Sequence, residues 1–171
     1  MGNTTVITDA QQLVAHLTYD ALDRLTAVQY ADASVQFAYD RVGHRTAMTD
    51  TAGVTLYQYD DLYRPLTITA PYAGPVGYRY DARNLRTQTL YPTGETATYG
   101  YDDAGRLTYV WDGASKVVTY TYDAANRPLT VTLRNGVETA YGYDEAGRLT
   151  SIAHQKPGAW QIGRASCRER V

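Results

Sequence analysis

Two sets of residues in this chain could do chemistry: carboxylates held a fixed distance from basic side chains, and a long series of tyrosines. Seven Tyr-Asp pairs occur, at Tyr19-Asp20, Tyr39-Asp40, Tyr59-Asp60, Tyr80-Asp81, Tyr101-Asp102, Tyr122-Asp123 and Tyr143-Asp144. A mostly basic position follows each Asp by four residues: Arg24, His44, Arg64, Leu85, Arg106, Arg127 and Arg148. Two carboxylates on a sheet could serve as an acid/base pair, as in glycoside hydrolysis. Repetition argues against it, because a catalytic pair occurs once and this set recurs along the whole chain. Each Asp is therefore expected to close a turn, and each Arg to pack or ion-pair locally. The tyrosines could stack on sugar rings. The competing expectation is cross-strand packing, in which aromatic pairs contribute roughly 0.2–1 kcal/mol each.

The remaining reactive residue types form no constellation. His16, His44 and His154 fall at three different places relative to the Tyr-Asp pairs and lack metal-ligand spacing, so no metal or cofactor is expected. Asn3-Thr-Thr5 fits the N-glycosylation pattern, which recurs often by chance. There is no glycine-rich phosphate loop, Ser/His/Asp set or basic aromatic groove. A pI near 5.9 argues against nucleic-acid binding.

The intervals between successive Tyr-Asp pairs are 20, 20, 21, 21, 21 and 21 residues. A fixed period of this size marks a repeat architecture, in which each unit buries its apolar face only against its neighbours. Two residues before each Tyr stands a large apolar or aromatic residue: Leu17, Phe37, Tyr57, Tyr78, Tyr99, Tyr120 and Tyr141. Nine residues after it come Val28, Met48, Ile68, Thr89, Val110, Val131 and Ile152. The repeat at Tyr80 is off register, with Arg86 and Leu90 one place late.

Within a repeat the apolar period is two. Tyr120 and Tyr122 alternate with Thr119, Thr121 and Asp123, and Leu129, Val131 and Leu133 with Thr130 and Thr132. These residue types suit a pleated, half-buried surface. Two turns punctuate each repeat. The first is Asp-x-x-Gly/Asn, closed by Gly43, Gly105, Asn126 or Gly147, where a left-handed backbone is needed. The second lies midway between the pairs, at Thr51-Ala-Gly53, Ala73-Gly74-Pro75, Pro92-Thr-Gly94, Asp112-Gly113 and Asn135-Gly136. Asn-Gly and Asp-Gly predict type I′ turns with positive φ at both central residues.

The predicted fold is all-β, an antiparallel meander of about 14 short strands from seven 20–21-residue repeats. At roughly 4.8 Å per strand it would be about 65 Å wide. A rotation of roughly 20–25° per strand forces such a ribbon to coil into a spiral wall. With 17 Tyr and one Phe, the composition suits a wall whose rings pack while their hydroxyls stay wet, more than a solid core.

Tyr101-Asp-Asp-Ala-Gly-Arg-Leu-Thr108 and Tyr143-Asp-Glu-Ala-Gly-Arg-Leu-Thr150 resemble the defining motif of the RHS/YD-repeat family, and Tyr122-Asp-Ala-Ala-Asn-Arg-Pro-Leu129 is a close variant. The resemblance runs from about Gly2 to Ile152. It implies a large secreted or cell-surface parent whose repeats coil into a hollow β-shell. In bacterial polymorphic toxins and Tc toxin complexes the shell encloses a C-terminal toxin domain, and in teneurins a similar shell belongs to an adhesion ectodomain. The expected partners are flanking repeats and an enclosed cargo domain, with glycans as the alternative and no membrane segment. The family's Asp-based self-cleavage segment, Asp-Pro-x-Gly, does not occur here, so neither cleavage nor toxin activity is expected of this stretch.

The expected organisation is a repeat array over 1–156, with a partial repeat at 1–18, seven repeats from Tyr19, and a non-repeat tail over 157–171. Gly2-Asn3 takes the Gly-Arg position of the partial repeat, Ile7 its Val/Ile position and Asp9-Ala-Gln-Gln12 its midway turn. Ile162-Gly-Arg-Ala-Ser-Cys-Arg-Glu-Arg-Val171 back-translates in frame to a short-read sequencing adapter, whose next triplet is a stop codon. Residues 162–171 are accordingly expected to be adapter translation. Setting them aside removes Cys167, the only cysteine, and shifts the net charge from −2 to −4. Cysteine usage and the basic tail then say nothing about redox compartment or partners.

Overall fold

The computed structural model describes residues 3–10, 12–156 and 159–163. Sixteen strands and no helix occur among them. They are β1 (Val6–Thr8), β2 (Val14–Tyr19), β3 (Leu25–Gln29), β4 (Ser34–Tyr39), β5 (Arg45–Asp50), β6 (Gly53–Tyr59), β7 (Pro65–Ala70) and β8 (Gly74–Tyr80), followed by β9 (Arg86–Leu90), β10 (Thr96–Tyr101), β11 (Leu107–Trp111), β12 (Lys116–Tyr122), β13 (Pro128–Leu133), β14 (Glu138–Tyr143), β15 (Leu149–Lys156) and β16 (Ala159–Gly163). β1 and β2 fall in the stretch expected to be a partial repeat, with β2 ending on Tyr19, and β3 to β15 follow across the seven repeats, thirteen strands where about 14 were expected. β16 lies in the tail, where no strand was expected. Gly2 and Cys167 lie outside the described residues.

The strands fall into two compact bodies, Met1–Tyr78 with Leu90–Gly94, and Arg79–Thr89 with Glu95–Val171. Within each, antiparallel neighbours follow chain order, as tight turns between sequence neighbours dictate. The register repeats. The residue two before the Tyr pairs with the residue nine after it: Leu17 with Val28, Phe37 with Met48, Tyr57 with Ile68, Tyr99 with Val110, Tyr120 with Val131 and Tyr141 with Ile152. One apolar pair per hairpin thus sits on the same face. The opposite face carries small and polar pairs such as Thr119 with Thr132 and Thr121 with Thr130.

A β-bulge recurs beside the Tyr of the same six hairpins. Tyr101 pairs with Leu107 while Gly100 pairs with Tyr109, leaving Thr108 as the extra residue. Pro65 and Pro128 open their strands at this bulge, one of the few places in a sheet that tolerates a missing N–H donor. Gly100 is required for another reason: a Cβ there would come within 2.0 Å of the Tyr109 ring, which lies across the glycine.

Among the described residues, neither body builds a second layer of its own. Among the described residues only Ala15 and Thr89 are buried, and no large side chain is fully buried. Contacts between elements join consecutive strands. Each body is a single sheet with two half-solvated faces, the architecture expected of a wall.

Candidate functional site

The Tyr-Asp turn is built by its carboxylate. Asp123 Oδ1 accepts the N–H groups of Ala125 and Arg127, each at 2.9 Å, and its Oδ2 accepts from Arg127 Nε at 2.7 Å. Asp20 does the same with Leu22 and Arg24, and Asp60 with Leu62 and Arg64. The bond four residues on could not be anticipated from Asp-turn chemistry alone; it follows from the loop closing over three residues. Asp102 N–H donates to the Arg106 carbonyl and Gly105 N–H to the Asp102 carbonyl, both at 3.0 Å. The residue before the basic position then stands in the left-handed region in all seven repeats. Gly43, Gly105 and Gly147 do so at φ 103°, 79° and 80°, and Asn84 and Asn126 at 66° and 65°. Asp23 (60°) and Tyr63 (62°) adopt it without being Gly or Asn.

The midway turns differ from expectation. At Asn135-Gly136 only Gly136 has positive φ, 78°. Gly136 N–H donates to the Leu133 carbonyl and Leu133 N–H to the Val137 carbonyl, so this is a three-residue loop ending in a left-handed glycine. It is not the two-residue type I′ turn that the dipeptide suggested. Asn135 acts through its side chain, whose Oδ1 accepts from Val137 N–H at 3.1 Å. The turn placed at Ala73-Gly74-Pro75 closes earlier: Gly74 pairs with Ala70, and Pro75 with Thr69, inside the strand ladder.

Six tyrosines of the Tyr-Asp pairs donate their hydroxyls to backbone carbonyls, where wet hydroxyls were expected. Tyr19 donates to the Thr4 carbonyl, Tyr39 to Leu25, Tyr59 to Arg45, Tyr101 to Arg86, Tyr122 to Leu107 and Tyr143 to Pro128, at 2.7–3.0 Å. Each acceptor lies 14 or 15 residues back; from Tyr39 on it opens the strand that follows the preceding Tyr-Asp turn, while Thr4 lies just before β1. Phe could fill the space but not make this bond, which gives a physical reason for Tyr over Phe at these positions. Partial desolvation raises the Tyr59, Tyr101 and Tyr122 hydroxyls above the usual phenol value.

The basic residue spans the same junction from the other side. Arg106 pairs with its own Asp102 and donates Nη1 to the Asp123 carbonyl of the next repeat at 3.1 Å, while its guanidinium lies 4.8 Å from the centre of the Tyr122 ring. Arg24 repeats this with the Asp40 carbonyl and the Tyr39 ring. The off-register repeat solves the problem differently from its displaced Arg86. Leu85 holds the basic position, and Arg83 reaches both Asp81 Oδ2 at 3.1 Å and the Asp102 carbonyl at 3.0 Å. His44 replaces Arg in its repeat, with Nδ1 3.1 Å from Asp40 Oδ2 and its ring stacked 4.3 Å from Tyr63.

This network sets the carboxylate chemistry. Backbone N–H donation from the residue four on, reinforced by the Arg side chain, holds Asp20, Asp102, Asp123 and Asp144 below the ordinary Asp value. For Asp40 and Asp60 partial desolvation pushes upward, yet the donors outweigh it and the result is again a lowered value. Asp81 is lowered by the Leu85 N–H first and Arg83 after it. A general acid needs the opposite perturbation. His16, on β2, His44, in a turn, and His154, on β15, are not brought together, and among the described residues no group of three His, Cys, Asp or Glu could hold a metal ion. No helix among them is long and apolar enough to cross a membrane.

The family model of the RHS repeat matches residues 2–35, 39–75, 101–138 and 122–155, more than half of the chain. The chain belongs to the RHS repeat family. No curated protein matches it at a significant level. Solved structures carry the same fold. The Photorhabdus luminescens Tc holotoxin pore with a TccC3 point mutation superposes with a TM-score of 0.75 at 19% identity, over 88% of this chain and 9% of that one. The crystal structure of TcdB2–TccC3 gives 0.72 at 19% identity, over 92% and 10%, and TcdB2–TccC3–Cdc42 gives 0.71 at 19%, over 92% and 10%. The RHS chain described here thus spans about a tenth of the length of those chains.

Proposed function

We propose that this RHS chain is a structural segment of a β-shell that surrounds a C-terminal toxin or other cargo domain of a secreted or cell-surface parent. One observation carries the reading: the same Tyr, Asp and basic residues join one repeat to the next over a sheet with no core of its own. Such a surface is useful as a wall and poor as a catalyst, since its carboxylates are held ionised and committed to backbone donors. The Tyr-Asp residues from Tyr19 to Asp144 are read as structural, as are the turn residues Gly43, Gly105, Asn126, Gly147, Asn135 and Gly136. The fragment is read as non-enzymatic, with flanking repeats and the cargo as its partners. Residues 1–156 form the array, and 162–171 are read as adapter translation.

The names of the matched Tc structures support the toxin setting, because those assemblies pair TcdB2 with TccC3. A second reading, an adhesive or glycan-binding array, rests on the rings that stay outside the ladder, above all Tyr72 at 88% exposure. Sequencing the source locus past the codon for Gln161 with long reads separates the two. Further Tyr-Asp repeats followed by a distinct C-terminal domain are expected. A wall-attachment or membrane-anchor domain directly after the repeats would favour the adhesin. Adapter-like codons persisting in the genome would overturn the reading of the tail.

A further inference from the structure

The chain has four asparagines, Asn3, Asn84, Asn126 and Asn135, and only Asn135 is followed by glycine. The Cγ of an asparagine can be attacked by the backbone nitrogen of the next residue, one reason the residue is thermolabile. All four are exposed, so access to water does not distinguish them. The attacking nitrogen and the carbon it attacks do.

At Asn84 and Asn126 that nitrogen is held by a charge. Leu85 N–H donates to Asp81 Oδ1 and Arg127 N–H to Asp123 Oδ1, both at 2.9 Å. A bond to an ionised acceptor is roughly twice as strong as a neutral one, and it must break before the nitrogen can lose its proton. At Asn3 the next residue is the β-branched Thr4, and the side-chain amide donates to Asp23 Oδ1 at 2.8 Å. At Asn135 the nitrogen belongs to Gly136, which has no side chain to shield it, and its N–H meets only the neutral Leu133 carbonyl, at 2.9 Å. Val137 N–H donates to Asn135 Oδ1 at 3.1 Å. That bond closes a ring containing both Asn135 Cγ and Gly136 N, and it draws electron density from the carbon to be attacked.

We propose that Asn135 is a site of spontaneous modification, converted to aspartate and isoaspartate with water as the only co-reactant. Gly136 N gives its proton to solvent and attacks Asn135 Cγ. The new C–N bond expels the side-chain nitrogen as ammonia, which takes a proton back from solvent, and leaves a succinimide. Water then opens one of its two carbonyls: one route gives Asp, the other carries the backbone through the side-chain carboxyl as isoaspartate. Nothing is oxidised or reduced. The Asp product suits the fold, because the preceding midway turn already has it: Asp112 Oδ1 accepts from Ala114 and Ser115 N–H at 3.1 and 2.9 Å, and its Oδ2 pairs with Arg134. The conversion adds a negative charge beside Arg134. The isoaspartyl product also lengthens the loop between Leu133 and Val137 by a methylene and should loosen the hairpin of β13 and β14. The reaction requires neither cargo nor flanking repeats, so it stands apart from the shell reading.

The test incubates the full chain in neutral and mildly alkaline buffer and follows each asparagine by peptide mass spectrometry, with Asn135→Asp as the standard that separates the two products. Asn135 is expected to convert at least about tenfold faster than Asn84 or Asn126, whose attacking N–H groups are held by carboxylates. Its rate should rise with pH, since the nitrogen must lose a proton. Denaturant frees the Arg127 N–H, so Asn126 should then gain on Asn135. Equal rates at Asn126 and Asn135 in the folded chain, a ratio unchanged by denaturant, or an Asn135 that converts only after unfolding would each overturn the assignment.

Discussion

At the scale of single residues, the tyrosine hydroxyl and the aspartate carboxylate have separable tasks. The hydroxyl of Tyr122 joins its repeat to the one before through the Leu107 carbonyl. Tyr122→Phe keeps the ring and loses that bond, so it should cost about 1 kcal/mol in denaturant unfolding. Tyr120→Phe, two residues earlier on the packing face, should change stability by no more than about 0.5 kcal/mol. Equal losses in both would show that the hydroxyl bonds contribute nothing specific. The aspartates predict a pH dependence. Their folded-state values lie below the ordinary Asp value of about 3.9, so their stabilisation is full above that range and fades as pH falls through the folded values. Tyr59, Tyr101 and Tyr122 are raised, so stability should also decline as pH rises past about 10. Unfolding midpoints measured from pH 2 to 11 should form a plateau that falls at both ends, and a midpoint unchanged between pH 5 and 2 would contradict the carboxylate account. The carboxylate's place in a turn was legible in the sequence, because Asp at the start of Asp-x-x-Gly has local chemistry. The hydroxyl's acceptor was not, because it belongs to another repeat and emerges only once the register is fixed.

At the scale of elements, seven turns share one left-handed position although their residues differ. Tyr63 holds it against its own preference, at φ 62°, whereas Asp23, at 60°, is of a type that visits this region through local hydrogen bonding. Tyr63→Gly should therefore stabilise by up to about 1–2 kcal/mol, less whatever is lost with the stack on His44. Asp23→Gly should gain less, since it gives up the bond from Asn3 for a smaller relief. At the midway turn the two residues of Asn135-Gly136 should behave unequally. Gly136→Ala forces a Cβ into the left-handed region and should cost about 1 kcal/mol or more, whereas Asn135→Ala loses only the bond to Val137 N–H. Similar losses for the two would restore the type I′ turn. The dipeptide marked the position of this hairpin correctly and its loop length wrongly, since Asn-Gly serves two-residue and three-residue loops alike. Gly100 was a further silent signal. Gly100→Ala should be destabilising by about 1–3 kcal/mol and largely neutral in a Tyr109→Ala background, because the clash is with that ring.

At the scale of the molecule, a sheet without a core is stable only through its junctions, and among the described residues the element contacts within each body join consecutive strands. The period of 20 or 21 residues made that legible, since it announced one element repeated and left little room for a second layer. The strand β16 was not legible, because the Tyr-Asp pattern stops near Ile152. The direct measurement is electron cryo-microscopy of the whole parent protein. The account predicts that residues 3–156 form one layer of a hollow wall, solvent on one side and cargo density on the other. A second sheet or a helical layer packed tightly on this segment, closing it into a solid core, would contradict it.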